Sequence, residues 1–179
     1  MFSASELLIL DYIQEHFRSD FLDWLLPKIT VLANAGILWV GIAIIFLCVR
    51  SLRRCGLEMA LSMLLCFIIG NLLLKPFIAR IRPYDLNPIS LLISAPRDFS
   101  FPSGHTYTSF AAATAIFFHK KSWGIAALVL STMIAFSRLY LYVHYPTDVL
   151  VGIVLGVLLA IAAHFILPKM THLHNRPSA

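Results

Sequence analysis

Three ionisable side chains crowd the stretch Ser137-Arg138-Leu139-Tyr140-Leu141-Tyr142-Val143-His144-Tyr145-Pro146-Thr147-Asp148, which separates two long apolar runs. Charged groups beside lipid are expensive, so they mark a functional site by default. Pro146 suits the first position of a helix, where its missing N–H costs nothing. Asp148 then falls in that helix's first turn, where the dipole favours a carboxylate. From there it can orient the imidazole of His144. A carboxylate that fixes one ring tautomer leaves the other nitrogen exposed as a nucleophile, the logic of a catalytic triad. With a guanidinium at Arg138, this set suits attack on a phosphate.

Two further stretches carry complementary chemistry. Lys75 and Arg82 lie seven residues apart in Lys75-Pro76-Phe77-Ile78-Ala79-Arg80-Ile81-Arg82-Pro83. On a helix that step returns to about the same face, roughly 10 Å further along. Together with Arg138, the two cations would surround a phosphoryl group, whose equatorial oxygens carry the charge. Taken singly, Lys75 or Arg80 reads equally well as a snorkelling anchor at a membrane edge. Pro102-Ser103-Gly104-His105 opens an apolar run, and a helix start with free N–H groups binds anions. Ser103 can cap or donate its hydroxyl, and Gly104 admits a ligand close to the backbone. At the rim of that anion site, His105 suits a general acid for a leaving oxygen. His16, His119, His164, His172 and His174 lack such company and read as interfacial, packed or tail residues. No carboxylate cluster suits Mg²⁺, and too few ligands accompany His105 and His144 for zinc, so neither metal nor other cofactor is expected.

The groups that must position this chemistry are apolar helices. Hydrophobic residues make up 59% of the 179 and charged residues 13%, against about 25% charged in an ordinary soluble domain. That excess has to be solvated by lipid. The expected fold is an all-α, polytopic transmembrane helical bundle, a single domain over residues 1–179. The net charge of +5 comes without a basic run interleaved with aromatics, which sets nucleic-acid binding aside. Cys48, Cys55 and Cys66 have neither metal nor redox spacing and read as buried free thiols. No basic n-region of a cleaved signal peptide begins the chain, so the N-terminus is expected to stay.

Residues 5–18 have helical amphipathic spacing, and residues 1–20 are expected to form an interfacial N-terminal helix. Residues 21–49 are interrupted by Asp23, Pro27, Lys28 and Asn34-Ala35-Gly36. They form either one broken span or a short re-entrant helix plus a span. Residues 57–74, 104–118, 123–142 and 149–167 read as further spans, giving five to six. Residues 76–102 form a polar loop too long to be only a turn, and residues 168–179 a polar, mobile tail. Counting crossings puts Lys75, Arg82, Ser103, His105, Arg138, His144 and Asp148 at span ends on one side. Arg50, Arg53, Arg54, Lys120, Lys121, Lys169 and Arg176 fall on the other. Seven cations there, against five on the site's side (Lys75, Arg80, Arg82, Arg97 and Arg138), make the second side cytoplasmic and turn the site away from the cytoplasm.

Lys75-x6-Arg82-Pro83, then Pro102-Ser103-Gly104-His105, then Ser137-Arg138-x5-His144-x3-Asp148 resembles the three-part signature of the type 2 phosphatidic acid phosphatase (PAP2) superfamily. The motifs match in order, in spacing and at each key position. The resemblance implies that His144 attacks phosphorus to form a phosphohistidine, with Asp148 orienting it. It also implies that His105 protonates the leaving group and then helps water hydrolyse the intermediate. Lys75, Arg82, Ser103, the Gly104 N–H and Arg138 would hold the phosphoryl oxygens, with no metal. Nothing transfers to Arg80 or to the loop at 84–101. The implied function is an integral-membrane lipid phosphatase of a bacterial inner membrane. Undecaprenyl pyrophosphate is the expected substrate. Phosphatidylglycerophosphate, phosphatidic acid and lipid A phosphates are the alternatives. Vanadium haloperoxidases share the motif but are soluble. A non-catalytic lipid-phosphate binder or transporter is the reading from another class. The number of chains that assemble is not legible.

Overall fold

The computed structural model describes residues 2–174, with side chains from 5 to 167. Its order is α1 (Phe2–Phe17), α2 (Asp20–Leu32), a 3-10 turn (Asn34–Gly36), α3 (Ile37–Cys48) and α4 (Arg53–Cys66). A π-helical stretch (Phe67–Leu74) prolongs α4 into α5 (Lys75–Ile78), followed by α6 (Pro83–Leu86), α7 (Gly104–His119), α8 (Lys121–Tyr140) and α9 (Pro146–His174). The described residues contain no strand. As its proline predicts, α9 starts at Pro146. The helix also continues through the start of the tail to His174. Residues 175–179, and the side chains of Lys169, His172, His174 and Arg176, lie outside the described parts.

Among the described residues three helices are long and apolar enough to cross a membrane, or four if the bent pair α2–α3 counts as one. Two features explain the difference from five or six. α7 has only 16 residues, about 24 Å, and ten of them are buried. It forms the centre of the bundle, packed by α4, α8 and α9. Its run Ala111-Ala112-Ala113, wholly buried, keeps those neighbours close. The second feature is the break at Asn34-Ala35-Gly36, where Ala35 (φ 50°) and Gly36 (φ 69°) adopt left-handed backbone. The two segments meet at 44°. Both ends of α2 touch the same end of the bundle: Asp23 Oδ1 accepts from Tyr140 Oη at 2.6 Å, and Asn34 Oδ1 sits 2.9 Å from His105 Nε2. So α2 runs obliquely between these two contacts before the chain turns into α3. Trp39 pins α3 to α7 by donating to Ser109 Oγ at 2.9 Å.

All three cysteines are free, but Cys48 is exposed; Cys55 and Cys66 are buried as expected. The reason is position, since Cys48 ends α3 on its outward side.

α7 and α9 approach closely because position 156 has no side chain. A Cβ there would meet the Tyr107 carbonyl oxygen at 2.4 Å and the Ala111 nitrogen at 3.0 Å, backbone atoms that cannot swing away. Gly156→Ala is therefore expected to destabilise by about 1–3 kcal/mol, the usual range for overpacking. Its thermal midpoint in detergent should fall. Gly41→Ala, which meets nothing within 4 Å, should not lower it. Equal midpoints for the two variants would refute this packing.

Candidate active site

Lys75, Arg82, Gly104, His105, Arg138 and His144 line one cavity of about 1030 Å³. Each arrives by a different route. The π-helical stretch ends at Lys75, Arg82 is the extended residue before α6, His105 lies in the first turn of α7, and Arg138 in the last turn of α8. His144 sits in the short connection to α9. Ser103 and Asp148 are fully buried and lie behind the cavity wall.

His144 is 1% exposed. Its Nδ1 lies 3.5 Å from both Asp148 Oδ2 and Ser100 Oγ, while Arg82 Nη1 lies 3.3 Å from Nε2. A guanidinium only donates, so Nε2 accepts from Arg82 through its lone pair and the proton sits on Nδ1, facing the carboxylate; an anion drawing Arg82 to itself would free that lone pair. Burial, then the charges of Arg82, Arg138 and Lys75, hold this imidazole well below the usual histidine range. It is neutral at pH 7, as a nucleophile must be. Asp148 is itself held still: Oδ2 accepts from Ser100 Oγ at 2.5 Å and from the Tyr145 N–H at 2.9 Å. Its Oδ1 accepts from Arg80 Nη1 at 2.6 Å.

The cations are almost wholly buried, with Lys75, Arg82 and Arg138 at 7%, 3% and 2% exposure. Arg138 Nη1 donates to Thr30 Oγ1, but its buried Nε has no hydrogen-bond partner among the described residues. A buried donor left open is rare and costly in a folded protein. Here it belongs to a residue on the cavity wall, where an anion's oxygen would satisfy it. His105 is oriented across the cavity by Asn34. Ser103 makes no side-chain cap to α7. Its hydroxyl accepts from Thr106 Oγ1 at 2.9 Å and its N–H donates to the Asp148 carbonyl at 3.1 Å. That second bond ties the start of α7 to the start of α9.

Four residues of the site carry no local signal. Asp98, in the loop after α6, places one oxygen on Lys75 and the other 2.5 Å from Arg82 Nη2, as two oxygens of a phosphate would. Partial burial works to raise its pKa, but the hydrogen bond and charge of Lys75, with the charge of Arg82, hold it down at about 2. Ser100, buried between Phe99 and Phe101, bonds Asp148. Arg80 joins Asp148 to Glu6 of α1 and lies 3.8 Å over the Tyr145 ring. Glu6 also accepts from the Thr147 N–H at 2.9 Å. Thus α1 turns Glu6, Asp11 and Gln14 onto the loop around His144, with Tyr142 Oη donating to Asp11 at 2.6 Å and Gln14 to the Tyr140 carbonyl. Its Leu8, Ile9 and Tyr12 stay exposed.

A helical bundle apolar enough to cross a membrane, with three buried cations and two histidines around one cavity at its end, is a membrane-embedded anion site equipped for acid–base work. The chain belongs to the PAP2 superfamily, whose profile matches residues 55–171 and so takes in all three motifs. An undecaprenyl-diphosphatase of Sulfolobus acidocaldarius is 29% identical over 120 residues, 66% of this chain and 58% of that protein. The chain thus spans under two thirds of that relative's length. A lipid A 4'-phosphatase of Porphyromonas gingivalis is 30% identical over 189 residues, covering 93% of this chain and 78% of that one. The crystal structure of a transmembrane PAP2 type phosphatidylglycerolphosphate phosphatase from Bacillus subtilis superposes with a TM-score of 0.75 at 26% identity, covering 93% of this chain and 86% of that one.

Proposed function

We propose that this chain is an integral-membrane lipid phosphatase working through a phosphohistidine. His144 Nε2 attacks phosphorus, and the bond to the leaving oxygen breaks as His105 supplies its proton. Water, deprotonated by His105, then attacks the same phosphorus, the P–N bond breaks, and inorganic phosphate leaves. Asp148 orients His144. Lys75, Arg82, Arg138 and the Gly104 N–H hold the oxygens on which charge develops, and the Ser103 hydroxyl, behind the wall, joins them by turning inward.

The observation that carries this reading is the shape of the cavity. The pocket that holds the cations is also lined by Val40, Ile44 and Leu47 of α3 and by Met63, Leu64 and Phe67 opposite. Leu47 lies eleven residues beyond Gly36, about 16 Å down the helix. A phosphate at one end and an apolar chain leaving between α3 and α4 fit that form, which favours a lipid phosphate over a soluble one. The substrate we propose is undecaprenyl pyrophosphate, which the archaeal relative's name supports. Phosphatidylglycerophosphate, phosphatidic acid and lipid A phosphates are the competing substrates. A substrate panel on purified protein, with EDTA present, tests both levels. Fastest turnover of undecaprenyl pyrophosphate is expected. Faster turnover of another lipid would change the substrate, and binding without phosphate release would leave only a binder or transporter.

The same proposal treats residues 1–179 as one domain in the bacterial inner membrane. It has five crossing segments: α2 with α3, α4, α7, α8 and α9. The apolar side of α1 lies in the interface and the cavity opens away from the cytoplasm. A tag at residue 179 should be cut by protease added to inverted vesicles, and its protection would reverse the topology.

Asp98 competes with substrate for Lys75 and Arg82. Asp98→Asn is expected to lower the inhibition constant of inorganic phosphate roughly fivefold, about the 1 kcal/mol of a half-exposed ion pair. Because a carboxyl held at about 2 stays ionised until pH falls near that value, acidifying the wild type from pH 7 to 5 should not mimic the variant. An unchanged constant in Asp98→Asn would remove Asp98 from the cradle.

A further inference from the structure

At the opposite end of the bundle, three helices bring together Glu58, His119 and His164. Their Glu58 Oε2, His119 Nε2 and His164 Nδ1 atoms all lie within 4.8 Å of one another. The carboxylate oxygen is 2.9 Å from each ring nitrogen. His119 lies fourteen residues beyond His105 on α7, about 21 Å along the axis, so this cluster is separate from the cavity described above.

Three features set it apart from a simple hydrogen-bonded group. Glu58 is 0% exposed, and a buried carboxylate needs a cation or a full set of donors. Its other oxygen, Oε1, is held by Arg54 Nε at 3.2 Å, leaving Oε2 alone to face the two rings. His164 Nδ1 makes a hydrogen bond with Oε2, but the buried His119 Nε2, at the same 2.9 Å, has no hydrogen-bond partner among the described residues. The ring nitrogen's in-plane axis passes beside Oε2, so His119 is close to the carboxylate without closing a hydrogen bond to it. His164 is also steadied from outside, with the Phe118 ring at 4.7 Å.

We propose that Glu58, His119 and His164 form a site for a divalent transition metal, zinc by its ligand chemistry, which ties α4, α7 and α9 together. Two imidazoles and a carboxylate are a zinc donor set, and bonds of about 2.0–2.2 Å at tetrahedral angles separate ligand atoms by about 3.3 Å. The 2.9 Å contacts need open by only a few tenths of an ångström, and the two ring nitrogens, within 4.8 Å of one another, draw in toward the same spacing. Side-chain exposures of 20% for His119 and 33% for His164 leave room for a water as fourth ligand. Binding moves the His164 proton from Nδ1 to Nε2, the tautomer that a metal on Nδ1 requires. Arg54 orients the ligand carboxylate from behind, as outer partners of metal ligands do. The three tied helices lead at their other ends to Lys75, His105 and Asp148, so the metal would brace the frame of the site without touching it.

The test uses the full chain, purified in detergent with a tag that contains no histidine, stripped with EDTA and titrated with Zn²⁺ or Co²⁺. One tightly held equivalent is expected per chain, with a visible Co²⁺ spectrum of tetrahedral type and a higher thermal midpoint with Zn²⁺. The double variant His119→Gln/His164→Gln keeps His172 and His174, so it reports what the tail binds alone. It should lose the spectrum and the midpoint shift. Arg54→Gln should weaken binding roughly tenfold to a hundredfold, as for outer partners elsewhere. Wild-type protein that retains no zinc, or that matches the double variant, would overturn the site. If the double variant fails to fold, the wild-type Co²⁺ spectrum still decides, because tail histidines alone give no buried tetrahedral signature.

Discussion

Replacing His144 by alanine is expected to lower kcat by about ten-thousandfold or more, the scale seen when a nucleophile in a triad is removed. Its ring is buried, its Nε2 faces the cavity and its Nδ1 faces Asp148. Among the described residues the other imidazole lining that cavity is His105, which Asn34 holds on the far side. Phosphate release from a detergent-solubilised lipid phosphate measures the loss. Trapping of labelled phosphate on the protein measures the step itself: wild type should form an acid-labile phosphoenzyme and His144→Ala none. Asp148→Asn should still be labelled, only more slowly, because it removes orientation and leaves the nucleophile in place. A labelled, active His144→Ala protein would end the mechanism.

Arg138→Met is expected to lower kcat/KM by about a hundredfold to a thousandfold, the loss typical of one donor aimed at developing charge. Methionine keeps much of the apolar stem but removes the charge and the open Nε donor. Among the described residues, the side-chain partner it strands is Thr30 Oγ1, a hydroxyl that can turn elsewhere. Folding should therefore survive, unlike for Arg82, whose guanidinium also supports the carbonyls of Val143 and Asp98. Arg138→Lys should recover only part of the activity, since an ammonium supplies charge without the planar fork. If Arg138→Met instead kept its kcat/KM while losing thermal stability, the residue would be a brace and not a phosphate ligand.

The residues that converge on the cavity were legible because each sits in a short pattern with its own chemistry. Lys75 and Arg82 do meet, but not by the expected helical step: the helix ends at Ile78, Ala79 turns left-handed (φ 48°) and Arg82 is extended. The Pro-Ser-Gly-His step announced a helix start, and Pro146 placed Asp148 one turn into α9. What surrounds them was not legible. Asp98 and Ser100 lie in a proline-bearing loop without periodicity, and Glu6 reaches Thr147 across 141 residues. Asn34 reads as a break in an apolar run, yet that break aims it at His105. His119 and His164 look solitary along the chain; they meet Glu58 only because α4, α7 and α9 pack side by side.

By itself, then, the order of residues determined an all-helical, lipid-compatible chain with three cationic or histidine-bearing motifs at helix ends. Local rules suffice for that, since hydropathy, helix starts and spacing act within a few turns. Tertiary structure alone decided how many of the described helices are long enough to cross, that α2 and α3 meet at 44°, and which distant carboxylates meet the buried cations. An apolar run that stays straight and one that bends midway can have the same composition. A buried charge, by contrast, must find its partner wherever packing delivers one, because leaving it unpaired costs more than any local preference can offset.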